Sequence, residues 1–177
     1  MTLSFSDLEQ YKQYGFPQTY PANIRSFYSP VDDVHGALKT VVSSCSHSLI
    51  IAMYGYDDEE LHKIVLAKCS DPTIFVSLAL DSSQAGGIHE KALLAEGDTL
   101  GTHVVTGRSE KGAIMHLKAV VVDGLWVIGG STNWSIGGET KQDNEMTIIM
   151  DATHAAELSS RILIIHDAMS GKSEVAA

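Results

Sequence analysis

Cysteine is scarce: Cys45 and Cys69 are the only two in a chain of 177 residues. Neither stands in a CxxC pair or beside histidines at metal-ligand spacing, which excludes a disulfide framework and a thiolate metal centre. Both read as reduced, buried apolar side chains. Basic residues are also few, 12 Lys and Arg against 22 Asp and Glu, for a net charge of −10. Such a surface repels phosphates and argues against non-specific coating of nucleic acid. Long apolar runs are missing as well. Ala119 to Ile128 is broken by Asp123 and Gly124, well short of the ~20 residues that span a bilayer. The first residues carry Asp7, Glu9 and Lys12 among scattered apolar ones, unlike a basic start followed by an apolar signal run, so a cytoplasmic location is expected.

What is present is a globular composition, 44% hydrophobic and 19% charged, expected to make one domain. Residues 1–22, with Pro17 and Pro21, read as an N-terminal extension lying across the domain; 23–170 form the domain and 171–177 a polar tail. Ile24 to Tyr28 has strand composition, and Ser29-Pro30 reads as the start of a helix that carries Val34, Ala37, Leu38, Val41 and Val42. Ser48 to Tyr54 and Thr73 to Leu80 are apolar runs of strand length, separated by a helix that starts at the carboxylates Asp57 to Glu60. A further helix is expected from about His89 to Glu96. Three strand candidates then follow without helices between them: His116 to Val122, Trp126 to Ile128 and Met146 to Met150. A last helix is capped by Asp151 or Thr153 and carries Leu158, Ile162 and Ile165. The expected fold is therefore α/β, a mixed, largely parallel β-sheet flanked by helices, with antiparallel pairing added by the second half.

Chemistry concentrates in residues 116 to 133, where His116, Lys118, Asp123, Ser131 and Asn133 interrupt an apolar background. In a strand, side chains at His116 and Lys118 share one face, since the side-chain period is two. Asp123-Gly124 is a hairpin signal, and the return strand leads through Gly129 and Gly130 toward Ser131 and Asn133. Glycines let backbone N–H groups approach an anion, and Ser131 and Asn133 add neutral donors. Lys118 inside an apolar strand has no good structural explanation without an anionic partner.

The order His-x-Lys, four residues, Asp, six residues, Gly-Ser-x-Asn resembles the HKD motif of the phospholipase D superfamily. The likeness extends to Phe27-Tyr28-Ser29-Pro30, Ile50-Ala52-Tyr54, Asp81, Gln84 and Glu145, and spans residues 24 to 166. It is closest in kind to the small single-motif endonucleases of that superfamily. The resemblance implies metal-independent phosphodiester cleavage, without cofactor. One histidine attacks phosphorus to give a covalent phosphohistidine, and a second protonates the leaving oxygen. By the same resemblance His116 and Lys118 are catalytic and Glu145 orients the imidazole. Lys118, Ser131 and Asn133 bind the substrate phosphate, while Asp123 and Gly130 support the motif. A nucleophilic imidazole, an orienting carboxylate and donors on the equatorial oxygens suit such a reaction.

The mechanism needs two histidines and the chain has one motif. His89-Glu90-Lys91 with Glu96 is a superficial echo on a helical pattern, with no Gly-Ser-x-Asn after it. A homodimer with the active site on the two-fold axis is the remaining solution, as in one-motif relatives. The histidines at 35, 47, 62, 89, 103, 154 and 166 lack ligand spacing and read as surface or partly buried residues. Trp126 reads as core; Trp134 is balanced between core and base stacking. Arg108, Lys111 and Lys118 against Glu110 form a locally positive stretch, which favours a nucleic-acid substrate. The alternatives are a phospholipase D or phosphatidyl transferase, and a dimer that binds phosphodiesters without cutting them.

Overall fold

The computed structural model describes residues 3–84, 91 and 103–171. Its centre is a seven-stranded sheet in the order β1-β9-β7-β6-β2-β4-β5. The strands are β1 (Ile24–Ser29), β2 (Ser48–Met53), β4 (Phe75–Asp81), β5 (Val104–Gly107), β6 (Lys118–Val122), β7 (Trp126–Gly130) and β9 (Asn144–Met150). A separate parallel pair joins β3 (Tyr56–Asp57) to β8 (Trp134–Ser135). The sheet is mixed as expected, but its balance is not largely parallel. Only β2–β4 and β4–β5 run parallel, whereas β2–β6, β6–β7, β7–β9 and β9–β1 are antiparallel. The reason is that β1, although it opens the alternating half, lies at the sheet edge against β9.

Helices cover both faces. The helices α1 (Val34–Ser43) and α2 (Glu59–Cys69) pack on one side over Leu49, Ile51, Met53, Val120, Val122 and Ile128. The last long helix, α4 (Ala152–Met169), buries Ala155, Ile162 and Ile165 on the other over Ile50, Ala52, Ala79, Val121 and Val127. Alternate strand residues serve alternate cores, as the side-chain period requires. A short helix α3 (Ile136–Thr140) follows β8 directly. The helix expected over His89 to Glu96 falls outside the described residues except for Lys91.

Helix starts follow the carboxylate signals. Asp58 accepts from the Leu61 N–H and Asp151 from the His154 N–H. Ser29-Pro30 departs from expectation, because Asp33 caps α1 through the Gly36 N–H instead. Ser29 ends β1 before a cis peptide bond, and its hydroxyl donates to the carbonyls of Gly138 and Gln142. The N-terminal segment contributes Phe5 and Leu8 to the core, and its Lys12 ammonium lies 2.7 Å from Asp32. Cys45 is buried, whereas Cys69 is only partly so, and burial pushes both thiols up to about 11. Trp126 and Trp134 are both core residues, Trp126 edge-on to Phe5 and Trp134 against Tyr56.

Asp123 sits at positive φ (53°) beside Gly124 (62°) in the β6–β7 turn, a conformation that suits Asx and Gly. Its carboxylate accepts from the N–H groups of Ser46, His47 and Ser48 and from the Ser46 hydroxyl, at 2.7–3.1 Å. Burial alone raises a carboxyl, but these donors outweigh it and hold Asp123 below the usual range. The turn thereby ties β6–β7 to the entry of β2. A carboxyl with a depressed folded value adds stability above its unfolded value of about 3.9 and loses it as pH falls through the folded one. Asp123→Ala is therefore expected to lower unfolding free energy by about 2–3 kcal/mol at pH 7. Asp123→Asn, which tolerates the positive φ, removes the acid-dependent part below about pH 4. Urea denaturation at pH 7 and pH 3.5 measures both.

Candidate active site

The motif residues converge where β6, β7 and β9 end beside β2. Strand β6 begins at Lys118, so His116 precedes it rather than lying within it. The two side chains nevertheless line the same opening. The Lys118 ammonium donates to the His116 carbonyl at 3.0 Å. It also lies 4.7 Å from the centroid of the Tyr54 ring, and that ring meets the His116 imidazole edge-on at 4.5 Å. The Tyr54 N–H donates to the Leu117 carbonyl at 2.9 Å, continuing the β2–β6 ladder past Met53 and Lys118. Tyr54 therefore organises both basic groups.

Lys118 is 8% exposed and burial lowers its pKa, with no carboxylate among the described residues opposing that shift. A desolvated ammonium held by one carbonyl and one ring face favours an incoming anion. His116 is exposed. Behind it, Asp81 at the end of β4 accepts from the Met115 N–H at 2.5 Å and from the Ser83 N–H and hydroxyl. Burial works against ionisation there, but these donors and the Arg108 charge keep the Asp81 carboxyl low.

The second arm of the motif is folded by a close approach. Gly130 has φ of 139°, and a Cβ there would lie 2.2 Å from the Glu145 carbonyl oxygen. That approach lets the Ser131 N–H donate to the Glu145 carbonyl at 2.9 Å, while the Glu145 N–H donates to the Ser131 hydroxyl at 3.0 Å. The single Ser131 proton goes to Asn144 Oδ1 at 2.9 Å. Ser131 is thus a staple of the loop, with its donor already committed, rather than a free donor at the cleft. Asn144 Nδ2 in turn donates to the Gly138 carbonyl at 3.0 Å. Asn133 comes close to β2 because Gly55 has no side chain: a Cβ on Gly55 would lie 2.9 Å from Asn133 Cγ. Asn133 Oδ1 is sealed from solvent and has no hydrogen-bond partner among the described residues.

Two openings flank these groups. One, of about 360 Å³, is lined by His116, Lys118, Glu145, Thr147 and His154 over an apolar wall of Val127, Ile149 and Leu158. Glu145 Oε1 accepts from the Thr147 hydroxyl at 2.5 Å, so its carboxylate faces the cleft of His116 without touching the imidazole. The other, of about 390 Å³, is lined by Gly55, Ser83, Gln84, Asn133 and Ser135. Gln84 Nε2 donates to the Tyr54 hydroxyl at 3.0 Å, which links the two openings. Asp123 lies at the far end of β6, in the turn already described, away from both. His154, read in the sequence as a surface or partly buried residue without ligand spacing, is exposed and shares the cleft of His116. The capping pattern Asp151 to His154 was the available signal for its place at the first turn of α4.

The family model described as cardiolipin synthase, PLD-like domain, matches residues 38–163. The chain belongs to this phospholipase D-like family. Solved structures agree on the fold. Nuc, a phospholipase D family member from Salmonella typhimurium, has a TM-score of 0.71 at 18% identity, over 82% of this chain and 94% of that one. NucT from Helicobacter pylori has a TM-score of 0.67 at 16% identity, over 82% and 96%. Phosphatidylserine synthase from Haemophilus influenzae Rd KW20 has 0.62 at 11% identity, over 91% and 44%. A search of curated sequences found no match. The phospholipase D-like domain contains no helix, among the described residues, that is long and apolar enough to cross a membrane.

The steric demand at Gly130 gives a direct check on this site. Gly130→Ala, which combines positive φ with a backbone clash, is expected to destabilise the domain by about 2–4 kcal/mol and to disturb the β7–β9 pairing. Thermal unfolding and amide exchange at Ser131 and Glu145 read both effects.

Proposed function

We propose that the protein is a metal-independent phosphodiesterase that cleaves nucleic acid, DNA or RNA, at a site completed by a second copy of itself. The observation that carries this reading is the buried Lys118 ammonium, without a carboxylate partner among the described residues, held beside the exposed His116 imidazole, with Glu145 in the same cleft and Asn133 in the adjoining one. An imidazole nitrogen of His116 attacks phosphorus and the leaving oxygen departs with a proton from the second copy's imidazole. That same imidazole then takes a proton from water, whose oxygen attacks the phosphohistidine and releases a phosphomonoester and free His116. Lys118 and Asn133 stabilise the equatorial oxygens, and Glu145 steadies the protonated imidazole.

Arg108 and Lys111 are exposed, and Glu110 is paired with Arg161 at 2.5 Å. With Lys118 they make the stretch from 108 to 118 locally positive in an acidic protein, which suits a single strand as substrate. A second reading, transfer or hydrolysis of phospholipid head groups, has the apolar wall of Val127, Ile149 and Leu158 in its favour.

Cleavage of single- and double-stranded DNA and of RNA is expected with EDTA present and to fall with salt. His116→Asn is expected to reduce kcat by about 10³-fold or more, and Lys118→Ala by about 10²–10³-fold. Inactivity of the wild type on all nucleic acids, with release of phosphatidic acid from phosphatidylcholine or phosphatidylglycerol vesicles, would establish the lipid reading instead. Binding without any cleavage would make it a non-catalytic dimer. A monomeric mass at concentrations where turnover per chain is undiminished would sink the shared site.

Gly55→Ala provides a subtler check on Asn133. The three atoms nearest the added methyl all belong to the Asn133 side chain, at 2.9–3.1 Å, so kcat should fall by about tenfold or more, with a loss of stability of about 1–3 kcal/mol.

A further inference from the structure

One cluster of titratable groups lies outside the two openings of the active site. His35 in α1, Asp58 at the N-terminus of α2 and Glu139 in α3 each place a donor atom within 4.8 Å of the others. His35 Nδ1 is 2.5 Å from Glu139 Oε2 and 3.6 Å from Asp58 Oδ2. Asp58 and Glu139 are 4% and 1% exposed. The second Glu139 oxygen, Oε1, is sealed from solvent and has no hydrogen-bond partner among the described residues. Beside the cluster is a cavity of about 250 Å³, also lined by Glu60, Ile136 and Thr140.

Protons alone serve this arrangement poorly. Two buried carboxylates face one imidazole, and Glu139 Oε1 is left unmet. A divalent cation would take all three donor atoms as ligands and supply the missing partner for Oε1. One imidazole nitrogen with two carboxylate oxygens, and a cavity for water at the remaining position, is a donor set for borderline metals such as Zn²⁺ or Mn²⁺.

We propose that His35, Asp58 and Glu139 form a binding site for one divalent transition-metal cation, which fastens α3 to α1 and α2. The site is a clamp and takes no part in phosphoryl transfer. Its effect reaches the active site through the chain, because α3 leaves β8 directly after Asn133 and Trp134 and its Gly138 carbonyl anchors Asn144. The metal would take Nδ1 of a neutral His35 imidazole whose proton is on Nε2, 3.5 Å from Glu60 Oε2, and any further proton on the ligands would be released to solvent.

The test uses the full chain, dialysed against EDTA and then into chelator-free buffer, titrated calorimetrically with ZnCl₂ and with MnCl₂. One cation per chain is expected for at least one of the two metals. Thermal unfolding should rise by about 5–10 °C at a hundredfold excess over Kd. Glu139→Gln keeps the side-chain volume and Asp58→Asn keeps the helix cap, and each is expected to weaken binding at least tenfold. Absence of stoichiometric binding of either metal, or binding unchanged in both variants, would overturn the proposal. The readouts are binding and unfolding, so the result is independent of whether the protein cuts nucleic acid. Cleavage in EDTA well below the unfolding temperature continues in either case.

Discussion

A lysine ammonium removed from water, with no carboxylate among the described residues to meet it, is the constraint around which this site is arranged. Lys118 opens β6, a strand otherwise made of Ala119 and three valines, and burial weakens its hold on its proton. The fold compensates it only in part, with the His116 carbonyl and the face of Tyr54. Both contacts also fix the backbone and ring on which the His116 imidazole rests. The same partly met charge therefore holds the ring beside His116 and favours an anion in the cleft.

Holding that arrangement open requires rigid surroundings, and they come from backbone groups more than from side-chain ion pairs. Asp123 ties the β6–β7 turn to β2, and Asp81 ties Met115 to β4. The segment from Gly130 to Glu145 is closed on itself by reciprocal bonds through Ser131, Asn144 and Gly138. Each of these carboxylates and hydroxyls has its lone pairs or proton committed to structure. Among the described residues, His116, Lys118 and Asn133 stay outside these closing bonds, and they are the groups the proposed reaction would use.

Much of this was legible in the sequence, for identifiable reasons. The β6–β7 hairpin carries most of the motif within one short stretch, so local turn chemistry at Asp123-Gly124 suffices to bring its two strands together. The apolar runs of β2 and β4 and the carboxylate starts of α2 and α4 were likewise local signals. Ser29-Pro30 misled because a serine before proline suits a helix start as well as a strand end, and only the contact with α3 decides between them. The direction of β1 was equally hidden, since an edge strand bonded to β9 reads like any other short apolar strand.

The sequence by itself determined the chemistry: an imidazole, an ammonium and an amide at spacings set by one hairpin, with the family that follows from them. Tertiary structure decided what surrounds those groups. Tyr54 between the two basic side chains, Gly55 giving way to Asn133, Gln84 bridging two openings and His154 beside His116 are all meetings across the sheet. The convergence of His35, Asp58 and Glu139 joins three helices far apart in the chain. No local periodicity records such contacts, because they exist only once the helices and strands have packed.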